Sequence, residues 1–474
     1  MQEKNLGQMV LATAQQYPDL LAIVTDADTL TYSQLRRLVL SFTTKMQEIG
    51  IGAASVVVTD NGDITMVAPV ILGCAILGAA WVSASTARFL PNHLRPTHIL
   101  TQKDGVLTDG EYRITPDWAV SEPVDPLTIA PISLTSPFIY APTSGTTGSP
   151  KILVFSQHIQ ILRALATQND FVARQTVFCT LFRADAYPFI TRFLSAFVGG
   201  ASVVQSREVS MWYAAGVNCL YGSVAQIGIY FDEKVLPRKL PLVHVSGARL
   251  SNELAAHLLN SFDSVIDLYA STETNRTLKN VKFINDAGQI TTRGEYLDST
   301  IELVDENDHA VPHGTSGYVR VQNQYLAEGY IANIEASQKS FRNGWFYTGD
   351  VGIIGELGEL QILGRTGDII NLGGVKVNAL EMDDALRAIQ GVADAMCFDL
   401  SVNGKSNEFL AFVVPETGIA LSDIAARFQA QVQVRYGADR APTKLIETSA
   451  VPRAHDGGAQ RFLCATIYRN KLNG

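Results

Sequence analysis

At 474 residues the chain exceeds one ordinary domain and is sized for two to four. Hydrophobic residues make up 47% and charged residues 18%, an ordinary globular balance with ample material for a core. The net charge of −9 argues against the basic face that nucleic-acid recognition uses. The five cysteines are scattered, with no Cys-x-x-Cys pair, which argues against a zinc or disulfide framework.

The first ten residues, MQEKNLGQMV, carry no apolar run of signal-peptide type. With reduced thiols, this gives the expectation of a cytoplasmic protein. Residues 29–50 place apolar side chains at helical spacing, with Ser33 as the expected cap. ASVVVTD (54–60) reads as a buried strand. ITMVAPVILGCAILGAAWV (64–82) has no charge and approaches the ~20 residues of a membrane span. Pro69, Gly73 and Gly78 interrupt it, and no second span exists, so it reads as a buried helix followed by a buried strand.

FIYAPTS (138–144) is a strand that runs into a loop dense in hydroxyls and glycines, YAPTSGTTGSPK (140–151). This composition suits phosphate, but the Walker spacing is absent: two residues separate Gly145 from Gly148, and Pro150 precedes Lys151. LVHVSGA (242–248) and SVIDLYAST (264–272) are further strands ending in small or hydroxylated residues. Ligands of open α/β sheets bind beyond the carboxyl ends of strands, and three strand ends here carry polar loops. Alternating strands and helices make the chain α/β. After about residue 295 come shorter strands and turns, and GRTGD (364–368) reads as a linker. Beyond it, Asn378 caps a helix over 378–389 with Glu381 three residues on, and two strands and a helix complete a small α+β unit. The expected organisation is a large N-terminal domain of mixed sheets flanked by helices, 1–363, and a small mobile α+β domain, 364–474.

TSGTTGSPK (143–151), YASTE (269–273), YTGD (347–350) and GRTGD (364–368) each pass alone for ordinary turns. In this order, and over this length, they resemble the AMP-forming adenylating superfamily: acyl-CoA synthetases, aryl-CoA ligases, luciferases and nonribosomal-peptide adenylation domains. The resemblance implies ATP, Mg²⁺ and a thiol acceptor, either coenzyme A or a carrier-protein phosphopantetheine. It also implies a small carboxylic acid as substrate; the acidic balance and the interrupted run at 64–82 speak against nucleic acid and membrane as partners. By the resemblance, Thr143, Ser144, Gly145, Thr146, Thr147, Gly148 and Lys151 hold the β and γ phosphates. Thr272 meets the α phosphate, Glu273 holds Mg²⁺, and Tyr269 lies against the adenine beside Gly247, Ala248 and Arg249. Asp350 accepts the ribose hydroxyls, with Arg365 close by. Backbone amides, hydroxyls and one ammonium are the donors that phosphate requires. Lys376, in LGGVKV (372–377), belongs to the face of the small domain used for thioester formation.

Three positions depart from the family. The hinge position, usually Asp or Lys, is Gly367. The acid-pocket segment TLFRADAYPF (180–189), which includes Tyr187, carries Asp185 where many relatives have histidine; this carboxylate suits a substrate amine or a solvated loop equally. In VPRAHDGGAQRF (451–462) the lysine that stabilises the adenylation transition state is replaced by Gly458. The leading reading is an acid–thiol ligase with weakened adenylation. The alternatives are a half-reaction enzyme and a silent paralogue that binds nucleotide as a scaffold subunit, and nucleotide binding separates the scaffold from the others.

Overall fold

The computed structural model describes residues 4–473 except 61, 121–131, 144–149, 169–174, 373–374, 403–404, 435–436, 438–440 and 454–459. Two large sheets form the N-terminal part. One has nine strands, in the order Ile290–Tyr296, Asn275–Ile284, Phe262–Ser271, Leu240–Ser246, Cys219–Ser223, Val177–Thr180, Ser202–Gln205, Leu21–Thr25 and Thr29–Thr31. The other has six: Glu111–Arg113, His98–Thr101, Val56–Thr59, Ala80–Ser83, Pro137–Pro142 and Ile152–Ser156. Both are mostly parallel with antiparallel strands at their edges. A continuous apolar core holds them and their helices together, with Phe189, Phe193 and Phe197 of one helix packed among Tyr32, Trp81 and Phe138.

The uncharged segment forms the helix Ile64–Leu77, buried along nearly its whole length, and the strand Ala80–Ser83 follows. Asp63 caps its start, accepting from the Thr65 N–H at 2.9 Å. Gly78, at φ 74°, ends it in the left-handed conformation that only glycine adopts at little cost. The earlier helix runs Tyr32–Glu48, and its cap is Thr31 rather than Ser33. Thr31 and Gln34 complete a reciprocal capping box, the stronger arrangement because it satisfies two orphan N–H groups at once. No helix among the described residues is long and apolar enough to cross a membrane.

A third sheet follows: Thr300–Val304, Gly317–Gln322, Trp345–Ile354 and Phe341–Arg342, with Leu360–Arg365 paired to Trp345–Ile354. Arg365 is therefore still hydrogen-bonded to this sheet. The short turn Thr366–Asp368 comes next, where GRTGD suggests a linker. Beyond it lie the hairpin Ile369–Leu372 and Val375–Asn378, the helix Ala379–Arg387, and a three-stranded sheet of Val392–Val402, Lys405–Pro415 and Lys444–Glu447. These strands pack on the helices Leu421–Phe428 and Arg461–Asn473 with cores of their own. Asn378 caps its helix as expected, accepting from the Leu380 and Glu381 N–H groups.

Candidate active site

The strand Pro137–Pro142 delivers Thr143, whose N–H donates to the Lys151 carbonyl at 2.9 Å, so the loop closes on itself at its base. Ser144, Gly145, Thr146, Thr147 and Gly148 lie outside the described residues. Lys151 Nζ stands 4.7 Å from the centroid of the Tyr330 ring, and the Tyr330 hydroxyl donates to Glu273 Oε1 at 2.7 Å. Burial, then the Glu273 charge, pushes the Tyr330 phenol up, which keeps it a donor. One aromatic ring thus joins the two residues assigned to phosphate and metal. The Glu273 side chain is buried, and among the described residues only its Oε1 has a hydrogen-bond partner, Tyr330.

The backbone at Thr272–Glu273 is held by a residue that no motif marks. Arg163, on the helix Gln157–Gln168, is 1% exposed. Its guanidinium donates to the Thr272 carbonyl at 3.0 Å, the Glu273 carbonyl at 2.8 Å and the Tyr325 carbonyl at 2.9 and 3.0 Å. It also donates to the Tyr187 hydroxyl at 2.8 Å and lies 4.1 Å from the centroid of Phe155. Five donors in a rigid plane suit such a multiple clamp in a way that lysine does not. Gln160 donates to the same Tyr187 hydroxyl at 2.8 Å, and the Tyr187 ring stacks on Phe155 at 5.2 Å. Tyr187 is therefore buried support, tied to the Thr272–Glu273 loop through Arg163.

At the nucleoside end, the Tyr269 hydroxyl donates to Asp350 Oδ2 at 2.6 Å, and Arg365 Nε lies 2.7 Å from Asp350 Oδ1. Burial and the Asp350 charge push the Tyr269 phenol well up, so it too stays protonated. Gly247 and Ala248 are exposed beyond the strand Leu240–Ser246. Gly247 turns the chain at φ 89°. Among the described residues the Thr272 hydroxyl reaches the Pro142 carbonyl alone, at 3.5 Å. The structure thus gathers Lys151, Tyr269, Thr272, Glu273, Asp350 and Arg365 around the ends of the three predicted strands.

Asp185 is not a free carboxylate. Arg183 donates to both of its oxygens, at 3.0 and 3.1 Å, and the Asp185 side chain is 11% exposed. Neither of the two readings of the sequence anticipates this pair. Lys376 pairs with Asn371 in the hairpin beyond the turn. Gly458 lies outside the described residues, but the cations flanking it are engaged. Arg453 donates to both oxygens of Asp394, at 3.0 and 2.6 Å. Arg461 lies 2.6 Å from Asp368 and 2.8 Å from Asp383, and it donates to the Cys397 carbonyl at 2.7 Å.

An adenylate-forming fold is evident from solved structures. The o-succinylbenzoate coenzyme A synthetase of Bacillus subtilis superposes with a TM-score of 0.81 at 16% identity in its complex with the acyl-adenylate intermediate OSB-AMP, covering 98% of both chains. In its complex with ATP and magnesium ion the TM-score is 0.80 at 17% identity, over 97% of this chain and 99% of that one. In sequence, a probable CoA ligase, CCL9, of Humulus lupulus is 24% identical over 413 residues, covering 82% of this chain and 76% of its own. A salicylyl-CoA synthase / salicylate adenylyltransferase of a Streptomyces species is 26% identical, covering 99% and 94%. The pattern of the AMP-binding enzyme family matches residues 10–331. The chain belongs to the AMP-binding enzyme family. As a member it is an AMP-forming ligase.

Proposed function

We propose that this enzyme activates a small carboxylic acid as its acyl-adenylate and passes it to a pantetheine thiol, with the first step slowed by the glycine at 458. The observation that carries the reading is the Lys151–Tyr330–Glu273 assembly, its Glu273 carbonyl held by Arg163, with Tyr269 on the same chain segment bonded to Asp350. Lys151 and Thr272 meet phosphate oxygens, and Glu273 offers its free oxygen to Mg²⁺. Among the described residues no three acidic, histidine or cysteine side chains gather as a cage. A single carboxylate supplemented by phosphate oxygens is the way Mg²⁺ is commonly held. Bound there, the ion would supply charge neutralisation at the phosphates. The protein's share is alignment of the acid carboxylate with the α phosphate and stabilisation of developing charge.

Asp350 accepts from the ribose and exchanges part of its contact with Tyr269 and Arg365. The small domain, 364–474, pivots at Thr366–Asp368 and brings Lys376 toward the thiol. A plain or oxygenated acid is favoured over an amino acid, because Arg183 already neutralises Asp185. A half-reaction enzyme that consumes adenylates better than it makes them is the second reading. The engagement of Arg453 and Arg461 favours it, since neither stands free to replace a lysine. Five buried, unpaired thiols support a reducing compartment such as the cytoplasm. The test is AMP formation from ATP and Mg²⁺ over a panel of acids, with coenzyme A or a loaded carrier protein as acceptor. AMP release that depends on both acid and thiol supports the reading, and none with any acid contradicts it.

A further inference from the structure

His244 is 1% exposed in the strand Leu240–Ser246, and neither of its ring nitrogens has a hydrogen-bond partner among the described residues. A neutral imidazole carries one donor and one acceptor, and protein interiors rarely leave both unmade. Burial, then the charges of Arg192 and Lys279, holds its pKa well below the usual histidine range.

The sheet fixes where the ring faces. Val243 and Val245 belong to the core on one side, so His244 and Ser246 face the other. Tyr221, paired in register with His244, belongs to the core between the two large sheets. Its hydroxyl lies 3.0 Å from that of Ser246. Leu268 pairs with both Ser246 and Lys279, which brings Lys279 to this face. The helix Tyr187–Gly199 covers it, with Arg192 4.8 Å from the centroid of Tyr221. A polar floor therefore lies in an otherwise apolar layer. At ~3.3 Å per strand residue, His244 lies about 10 Å along the strand from Gly247.

We infer that His244 is the specificity-determining residue of the acid pocket, and that the acid carries a hydrogen-bonding oxygen, a hydroxyl or a second carboxylate, that meets its imidazole. The inference rests on the adenylating reading above. The experiment uses the full chain and matched acids, salicylate against benzoate and malonate against propionate, and compares kcat/KM for pyrophosphate release. The oxygenated member should be preferred at least tenfold. His244→Leu should cut that preference at least tenfold with the KM for ATP unchanged, while His244→Gln, which keeps a donor and an acceptor, retains part of it. A preference that survives the leucine, or a wild-type preference for the bare acids, overturns the inference. ¹⁵N-histidine spectra of the wild type provide a second arm, with His244 identified as a ring that stays neutral and disappears in His244→Gln. Its resonances should shift on saturation with the oxygenated acid, and unmoved resonances overturn the assignment. Absence of turnover with every acid counts against the adenylating reading, and the spectra still decide the pocket.

Discussion

Arg365 and Asp350 form an ion pair at 2.7 Å that bridges the last strand before the pivot and the carboxylate assigned to the ribose. With Tyr269 on the other oxygen, Asp350 is preset and neutralised before any nucleotide arrives. Removing it strips the ribose of a charge-assisted acceptor worth about 1.5–3 kcal/mol. Asp350→Ala should therefore weaken AMP binding by about 10- to 100-fold in calorimetry. An unchanged dissociation constant removes Asp350 from the site.

Arg163 makes a second prediction. Arg163→Met leaves the Thr272, Glu273 and Tyr325 carbonyls without their donor. Each buried unsatisfied group costs about 1–3 kcal/mol, so the melting temperature should fall by several degrees. A purely structural role ends there. A positioning role also raises the Mg²⁺ concentration needed for half-maximal adenylation, because Glu273 is displaced. Normal Mg²⁺ dependence in the folded variant would limit Arg163 to stability.

The proposed pivot gives a third. A Cβ built on Gly367 meets nothing within 4 Å, and this residue is not in the left-handed region. Gly367→Ala should leave folding and nucleotide binding unchanged, whereas Gly367→Pro, which fixes φ, should impair turnover with thiol. If the proline variant turns over normally, the rotation occurs elsewhere.

Asp267 makes a pH prediction. Burial raises its carboxyl from 3.8 to about 6, against the opposing charge of Lys282. A folded pKa above the unfolded one means the group is best tolerated protonated. Its cost is absent below about pH 4, grows as pH rises through about 6, and is complete above that. Asp267→Asn should therefore stabilise the protein at pH 7.5, by on the order of 2 kcal/mol, and leave it unchanged near pH 4. Chemical denaturation at both values checks this, and an equal effect at both contradicts it.

Local patterns read well from sequence where the cause is local. The uncharged run at 64–82 contains its own breakers, and the helix Ile64–Leu77 ends at Gly78 as glycine chemistry dictates. Asn378 caps its helix by the same logic. Ser33 misled because two hydroxyls, two residues apart, compete for one cap, and Gln34 selects Thr31 by returning a hydrogen bond. What was hidden depends on distant partners. Arg163 reads as one more charge on an amphipathic helix, since the carbonyls it clamps lie 109 to 162 residues away. Tyr330 has no motif in common with Glu273, 57 residues apart. The Arg183–Asp185 pair had a signal, opposite charges two residues apart at a strand end, but nothing in the spacing says that they close on each other.

We propose an AMP-forming ligase whose adenylation half is weakened at Gly458. Loss of one donor aimed at developing charge costs about 10²–10³ in rate, and the flanking Arg453 and Arg461 are held by Asp394, Asp368 and Asp383. The direct measurement is single-turnover comparison of the two halves: acyl-adenylate formed from ATP and acid, and supplied acyl-adenylate consumed with thiol, in the wild type and in Gly458→Lys. Consumption should be much faster than formation in the wild type, and the lysine should raise formation, read as acid-dependent pyrophosphate exchange, at least tenfold. Robust wild-type exchange with no gain from the lysine would contradict the account.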